Sequence, residues 1–181
     1  MNLKERHIMK KPPAAEALSA EMITVLSISP IEEDHDSLKR IVSGSESSPH
    51  PAFRWTVRGV CTLGSALSIL KKVRFPIVVT ERDLSPGTWK QVLAETVALP
   101  DPPLLIVTSR LGDERLWGEV LNLGGWDFLA KPFNGEEVLR VLNGAWLHWK
   151  HDTEVRESRT VPLENDGGTI TLPLLLSCRR I

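Results

Sequence analysis

The feature that most constrains this chain is an alternation. Short apolar, largely β-branched runs are separated by longer stretches in which apolar residues return at helical spacing. The runs are Ile23 to Ile28, Phe53 to Val57, Phe75 to Thr80, Leu104 to Thr108 and Trp126 to Ala130. Between them Leu38, Ile41 and Val42, then Leu63, Ala66, Leu67 and Leu70, then Leu116, Val120 and Leu123 recur with a helical period. FPIVVT is apolar without interruption, as a parallel strand covered on both faces must be. Five strands alternating with five helices predict an α/β fold with one doubly wound parallel sheet, helices on both faces and right-handed crossovers.

Local signals place the element ends. Ser29-Pro30-Ile31-Glu32 reads as a helix start, with Ser29 as N-cap, Pro30 in the first turn and Glu32 completing a capping box. Thr62, Thr88 and Asn134 can cap later helices, and Glu136 and Glu137 suit the positive end of a helix dipole. Gly124 and Gly125 end the fourth helix, because glycine accepts the left-handed backbone found there. The last helix is expected from Gly135 to about Lys150. The division that follows is a leader over 1–20, a domain over 21–150 and a tail over 151–181, with a weak strand at Thr169 to Leu176.

The formal net charge of −1 argues against a general nucleic-acid binder. Cys61 and Cys178 are the only cysteines and are not spaced for zinc. The basic N-terminus lacks a continuous apolar core for secretion, and no apolar run approaches membrane-spanning length. A soluble cytoplasmic protein is expected.

The chemistry concentrates at Lys131. It follows the fifth apolar run directly, in GGWDFLAKPF, and so lies at the C-terminal mouth of the sheet, where open α/β folds hold their ligands. Its ammonium points at whatever anion sits there. Thr108 ends the fourth run at the same mouth, and an acidic loop beginning at Glu81 follows the third.

With Lys131-Pro132-Phe133, Thr108 and that acidic loop in place, the chain resembles the receiver domain of bacterial response regulators over residues 22 to 150. The resemblance implies a flavodoxin-like sheet and a phosphorylation switch. A histidine kinase phosphorylates an Asp after the third strand, and an acidic pair after the first strand helps hold Mg²⁺. A hydroxyl residue and a Lys contact the phosphoryl group, and an aromatic residue on the fifth strand reorients. On this resemblance Lys131 and Thr108 are the phosphate-contact positions and Phe128 is the switch aromatic.

The acidic half departs from the pattern. The acidic-pair positions fall on Ser29 and Pro30, neither of which carries a carboxylate. Glu32 is used by the capping box, and Glu33 and Asp34 are expected to face solvent. Mg²⁺ seeks near-octahedral oxygen ligands that usually include carboxylates, so no Mg²⁺ or other cofactor is expected. The phosphoacceptor position falls on Glu81, with Asp83 as the alternative. Glu81 is expected to pair with Lys131 and to imitate in part a phosphorylated Asp.

Large apolar residues left over from the core stripes, Trp117 and Leu121 on the fourth helix with Leu139 and Trp146 on the fifth, mark a partner face. The resulting reading is a stand-alone receiver-like signalling module and not an enzyme. It would act by binding a histidine kinase, a phosphotransfer protein or another receiver, or as a homodimer through the face of helix four, strand five and helix five. Phosphorylation would be reduced or absent. The alternative is a phosphorylation-competent receiver using Asp83 or Glu81 with an improvised Mg²⁺ site. A nucleotide-binding enzyme of related fold is disfavoured, because the loop after the first strand has no glycine to admit phosphates.

Overall fold

A computed structural model of the chain describes residues 21–44, 53–111 and 114–160. Strands and helices alternate throughout: β1 (Glu21–Ile28), α1 (Glu32–Gly44), β2 (Phe53–Val60), α2 (Leu63–Leu70), β3 (Ile77–Glu81), α3 (Trp89–Val97), β4 (Leu104–Ser109), α4 (Glu114–Asn122), β5 (Asp127–Ala130) and α5 (Gly135–Thr160). The strands form one parallel sheet in the order β2-β1-β3-β4-β5. This is the doubly wound architecture expected from the alternation.

Strand periodicity divides the core between the two faces. Ile77, Val79, Ile106 and Leu129 pack with α1 and α5 through Leu38, Val42, Val138 and Leu142. Val78, Leu105 and Val107 face the opposite way, against Ala66, Trp89, Val92 and Val120 of α2, α3 and α4. Ile77, Val78 and Val79 of β3 point alternately to opposite sides and are all buried, so this stretch must be apolar.

Several local expectations hold. Thr62 accepts a hydrogen bond from the Ser65 amide at 3.2 Å, and Asn134 accepts one from the Glu137 amide at 3.1 Å. Gly124 has a φ of 96°, in the region glycine favours at a helix end. Gly125 is needed for space: a Cβ there would lie 2.5 Å from Val120 Cγ1 and 2.9 Å from the Val120 carbonyl. This tight exit from α4 lets the Trp126 amide donate to the Leu105 carbonyl at 2.6 Å, which aligns β5.

Others change. Helix α1 begins at Glu32, so Ser29 is not its N-cap and Glu32 does not close a capping box. Helix α5 continues to Thr160, ten residues beyond the expected end at Lys150. The leader over 1–20 and the strand at Thr169 to Leu176 lie outside the described residues. Leu123, assigned above to the core stripe of α4, follows the helix and is half exposed. No described helix is long and apolar enough to cross a membrane.

Candidate functional site

Three strands deliver the site. Glu81 ends β3 and Thr108 lies opposite it in the β3–β4 register, while Lys131 follows β5 immediately. The Lys131 amide donates to the Ser109 carbonyl at 3.0 Å, which fixes the exit of β5 beside that of β4. The Lys131–Pro132 peptide is cis.

The Lys131 side chain is almost fully buried, with only 3% of its surface exposed, and its ammonium is held by two carboxylates. One is Glu81, through Oε2, as expected. The other is Asp34, whose Oδ2 lies 2.5 Å from Lys131 Nζ. The Thr108 hydroxyl is 3.3 Å from the Thr80 carbonyl and 3.5 Å from Glu81 Oε2, so its hydrogen is shared between β3's backbone and the carboxylate. Glu81, Thr108 and Lys131 therefore meet at one rim of the sheet.

Asp34 corrects the sequence reading. Expected to face solvent, it is 6% exposed and its carboxylate lies inside the cleft. Ser29, at one of the acidic-pair positions, donates its hydroxyl to Asp34 Oδ2 at 2.5 Å and accepts from the Ile31 amide at 3.2 Å. A serine thus stands where the pattern has a carboxylate, and the carboxylate arrives one helical turn later, anchored by that serine. Pro30 is exposed and adds no polar group. The signal was present: Asp34 lies four and eight residues before Leu38 and Val42, on the face α1 buries.

A second buried group supports this loop. The His35 ring bonds through Nδ1 to the Ser27 hydroxyl at 2.8 Å and through Nε2 to the Ser29 carbonyl at 3.1 Å. The ring lies over Gly59 of β2, where a Cβ would approach His35 Cγ to 2.8 Å. β1, α1 and β2 are thereby locked around Ser29.

Asp83 does not join the cluster. Its side chain is 65% exposed and pairs with Arg82 at 2.5 Å. It also forms an isolated bridge with Thr88, in the turn that starts α3. Phe128 is half-buried and packs on the α4 side of the sheet, opposite Val107 in register. A pocket of about 250 Å³ opens beside the site between Asp34, Lys131, Phe133 and Arg110.

The expected partner face divides. Trp117 is 49% and Leu121 37% exposed on α4, with the Trp117 indole 3.4 Å from Asp127 Oδ1. Leu139 is half-buried. Trp146 is not a surface residue: it is 5% exposed, stacks on Trp149 at 5.7 Å and meets Phe53 edge-on at 6.3 Å. It covers the end of the α5 core nearest the β2 edge.

No protein-family model and no curated protein sequence matches the chain. Solved structures do. The chain is similar to the signal receiver domain of a putative Luxo repressor protein from Vibrio parahaemolyticus, at 17% identity and a TM-score of 0.65, over 74% of this chain and 97% of that one. It is similar to the signal receiver domain of an HD-domain-containing protein from Pseudomonas fluorescens Pf-5, at 21% identity and a TM-score of 0.61, over 73% and 92%. It is also similar to the chemotaxis response regulator CheY4 of Vibrio cholerae, at 16% identity and a TM-score of 0.58, over 68% and 98%. The chain has the fold of response-regulator receiver domains.

Proposed function

We propose that this domain is a receiver-like module of two-component signalling that acts through protein contacts rather than catalysis. Phosphoryl transfer to its β3 position would be absent or much reduced. The observation that carries this reading is the Lys131 ammonium held between Asp34 and Glu81. The lysine that would meet a phosphoryl group already has its anions, and both are built into the chain. A glutamate at the acceptor position reaches one methylene further than an aspartate, which lets it close onto Lys131 directly.

Lys131 competes with Mg²⁺ for the carboxylates present. The ion seeks a near-octahedral set of oxygens, usually waters with one or two carboxylates. Here Asp34 Oδ2 takes hydrogen bonds from both Ser29 and Lys131, Glu81 Oε2 is on Lys131, and Pro30 offers nothing. A switch fixed in one state fits a module read by a histidine kinase, a phosphotransfer protein, another receiver or a second copy of itself. Trp117 and Leu121 supply an apolar surface for such a contact.

The second reading, a phosphorylation-competent receiver, draws on the same pair of acids: Asp34 and Glu81 do bring two carboxylates to the cleft. The test is a titration of the full chain with beryllofluoride and millimolar Mg²⁺, followed by amide NMR. The proposal expects the amides of Glu81, Thr108 and Lys131 to stay in place. Saturable shifts at those three would favour the second reading.

A further inference from the structure

At the end of the sheet opposite Lys131 lies a larger cavity of about 610 Å³. Its floor is apolar, built from Leu93 and Val97 of α3, Pro102 before β4, Leu104 and Trp126. One wall is the distal part of α5, through His148, Asp152 and Arg156, and so depends on the helix running past Lys150. Val97 is 48% exposed there, a large apolar side chain turned to an open groove. His148 is fixed in that wall, stacked on Trp126 at 4.9 Å with Nε2 3.4 Å from Asp152.

We propose that this groove is the docking site of the chain's own C-terminal segment, Thr169 to Leu176. Three observations point to that occupant. The first is position: Arg156 lines the groove and Thr160 lies one turn further along α5, so the segment that follows starts about 6 Å beyond the groove's rim. The second is reach: Val161 to Gly168, extended, spans up to about 26 Å. That is ample to turn back, and Gly167-Gly168 allows a reversal just before the apolar stretch. The third is chemistry. In extended form Ile170, Leu172, Leu174 and Leu176 share one face, four aliphatic side chains for an apolar floor. Pro173 falls among them and lacks an N–H, so packing rather than a full strand ladder would hold the segment.

Disulfide trapping in the full chain tests this. Cys61 and Cys178 are replaced by serine, and Val97→Cys is combined with Leu174→Cys. A control pairs Leu174→Cys with Asp36→Cys, on exposed α1 at the other end of the sheet. The proposal expects a fast intramolecular disulfide, seen as oxidised monomer, for the Val97 pair and at least tenfold slower closure for the control. Equal rates, or a disulfide that joins two chains only, would overturn it, the latter by giving the groove to a second copy. As an independent readout, Leu172→Asp with Leu174→Asp should raise hydrogen exchange over Leu93 to Leu104. Unchanged exchange there would count equally against it.

Discussion

Lys131 Nζ and Asp34 Oδ2 lie 2.5 Å apart although 97 residues separate them in the chain. The contact ties the exit of β5 to the first turn of α1, on opposite sides of β3. With Glu81 as a second anchor, one buried ammonium joins three elements around the mouth of the sheet.

That arrangement makes Lys131 costly to remove. Lys131→Met leaves Asp34 and Glu81 buried together without a counter-ion, and breaking a buried pair from one side costs about 3–5 kcal/mol. Urea denaturation should show a lower midpoint. In Lys131→Met combined with Asp34→Asn and Glu81→Gln much of the loss should return, because no uncompensated charge remains. A triple variant less stable than Lys131→Met would contradict the ion-pair account.

The loop that presents Ser29 depends on a residue without a side chain. Gly59→Ala would place a Cβ 2.8 Å from the His35 ring, which its bonds to Ser27 and Ser29 hold in place. Overpacking of this kind costs about 1–3 kcal/mol. A double-mutant cycle with His35→Ala should show strong coupling, since a smaller side chain makes room for the methyl group. Thermal denaturation of the four proteins measures it, and additive effects would contradict the contact.

The two tryptophans first grouped in one surface patch should behave oppositely. Trp146→Ala removes a buried indole stacked on Trp149 and should cost about 3–5 kcal/mol. Trp117→Ala, half exposed, should change stability by less than about 1 kcal/mol and weaken partner or self-association instead. Chemical denaturation and analytical ultracentrifugation separate the two effects.

Gly125 couples α4 to β5 sterically. Gly125→Ala would drive a Cβ into Val120 Cγ1 and the Val120 carbonyl, and backbone cannot move aside as a side-chain tip can. The expected cost is about 1–3 kcal/mol, with faster hydrogen exchange in β5. Exchange in β5 as slow as in the parent would argue against that coupling.

The sheet was legible because strand and helix periods differ and alternate cleanly. Ile77 to Val79 has to be apolar on both sides, and it is. Lys131 and Thr108 were legible because they lie at the ends of apolar runs. Asp34 was not, because counting positions from the first strand stops at Pro30. A carboxylate one turn into a helix reaches the cleft only when Ser29 and the real start of α1 at Glu32 aim it there. Trp146 was misplaced for a similar reason. The stripe on α5 was drawn as though the helix met the sheet alone, whereas Phe53 and Trp149 extend the core sideways to include it.

The most direct test is intact-mass spectrometry of the full chain after incubation with acetyl phosphate and millimolar Mg²⁺. If Lys131 is permanently bound by Asp34 and Glu81 and the acceptor position no longer takes a phosphoryl group, the mass stays unchanged. A stoichiometric gain of one acid-stable, base-labile phosphoryl group, lost in Glu81→Gln or Asp83→Asn, would contradict the account.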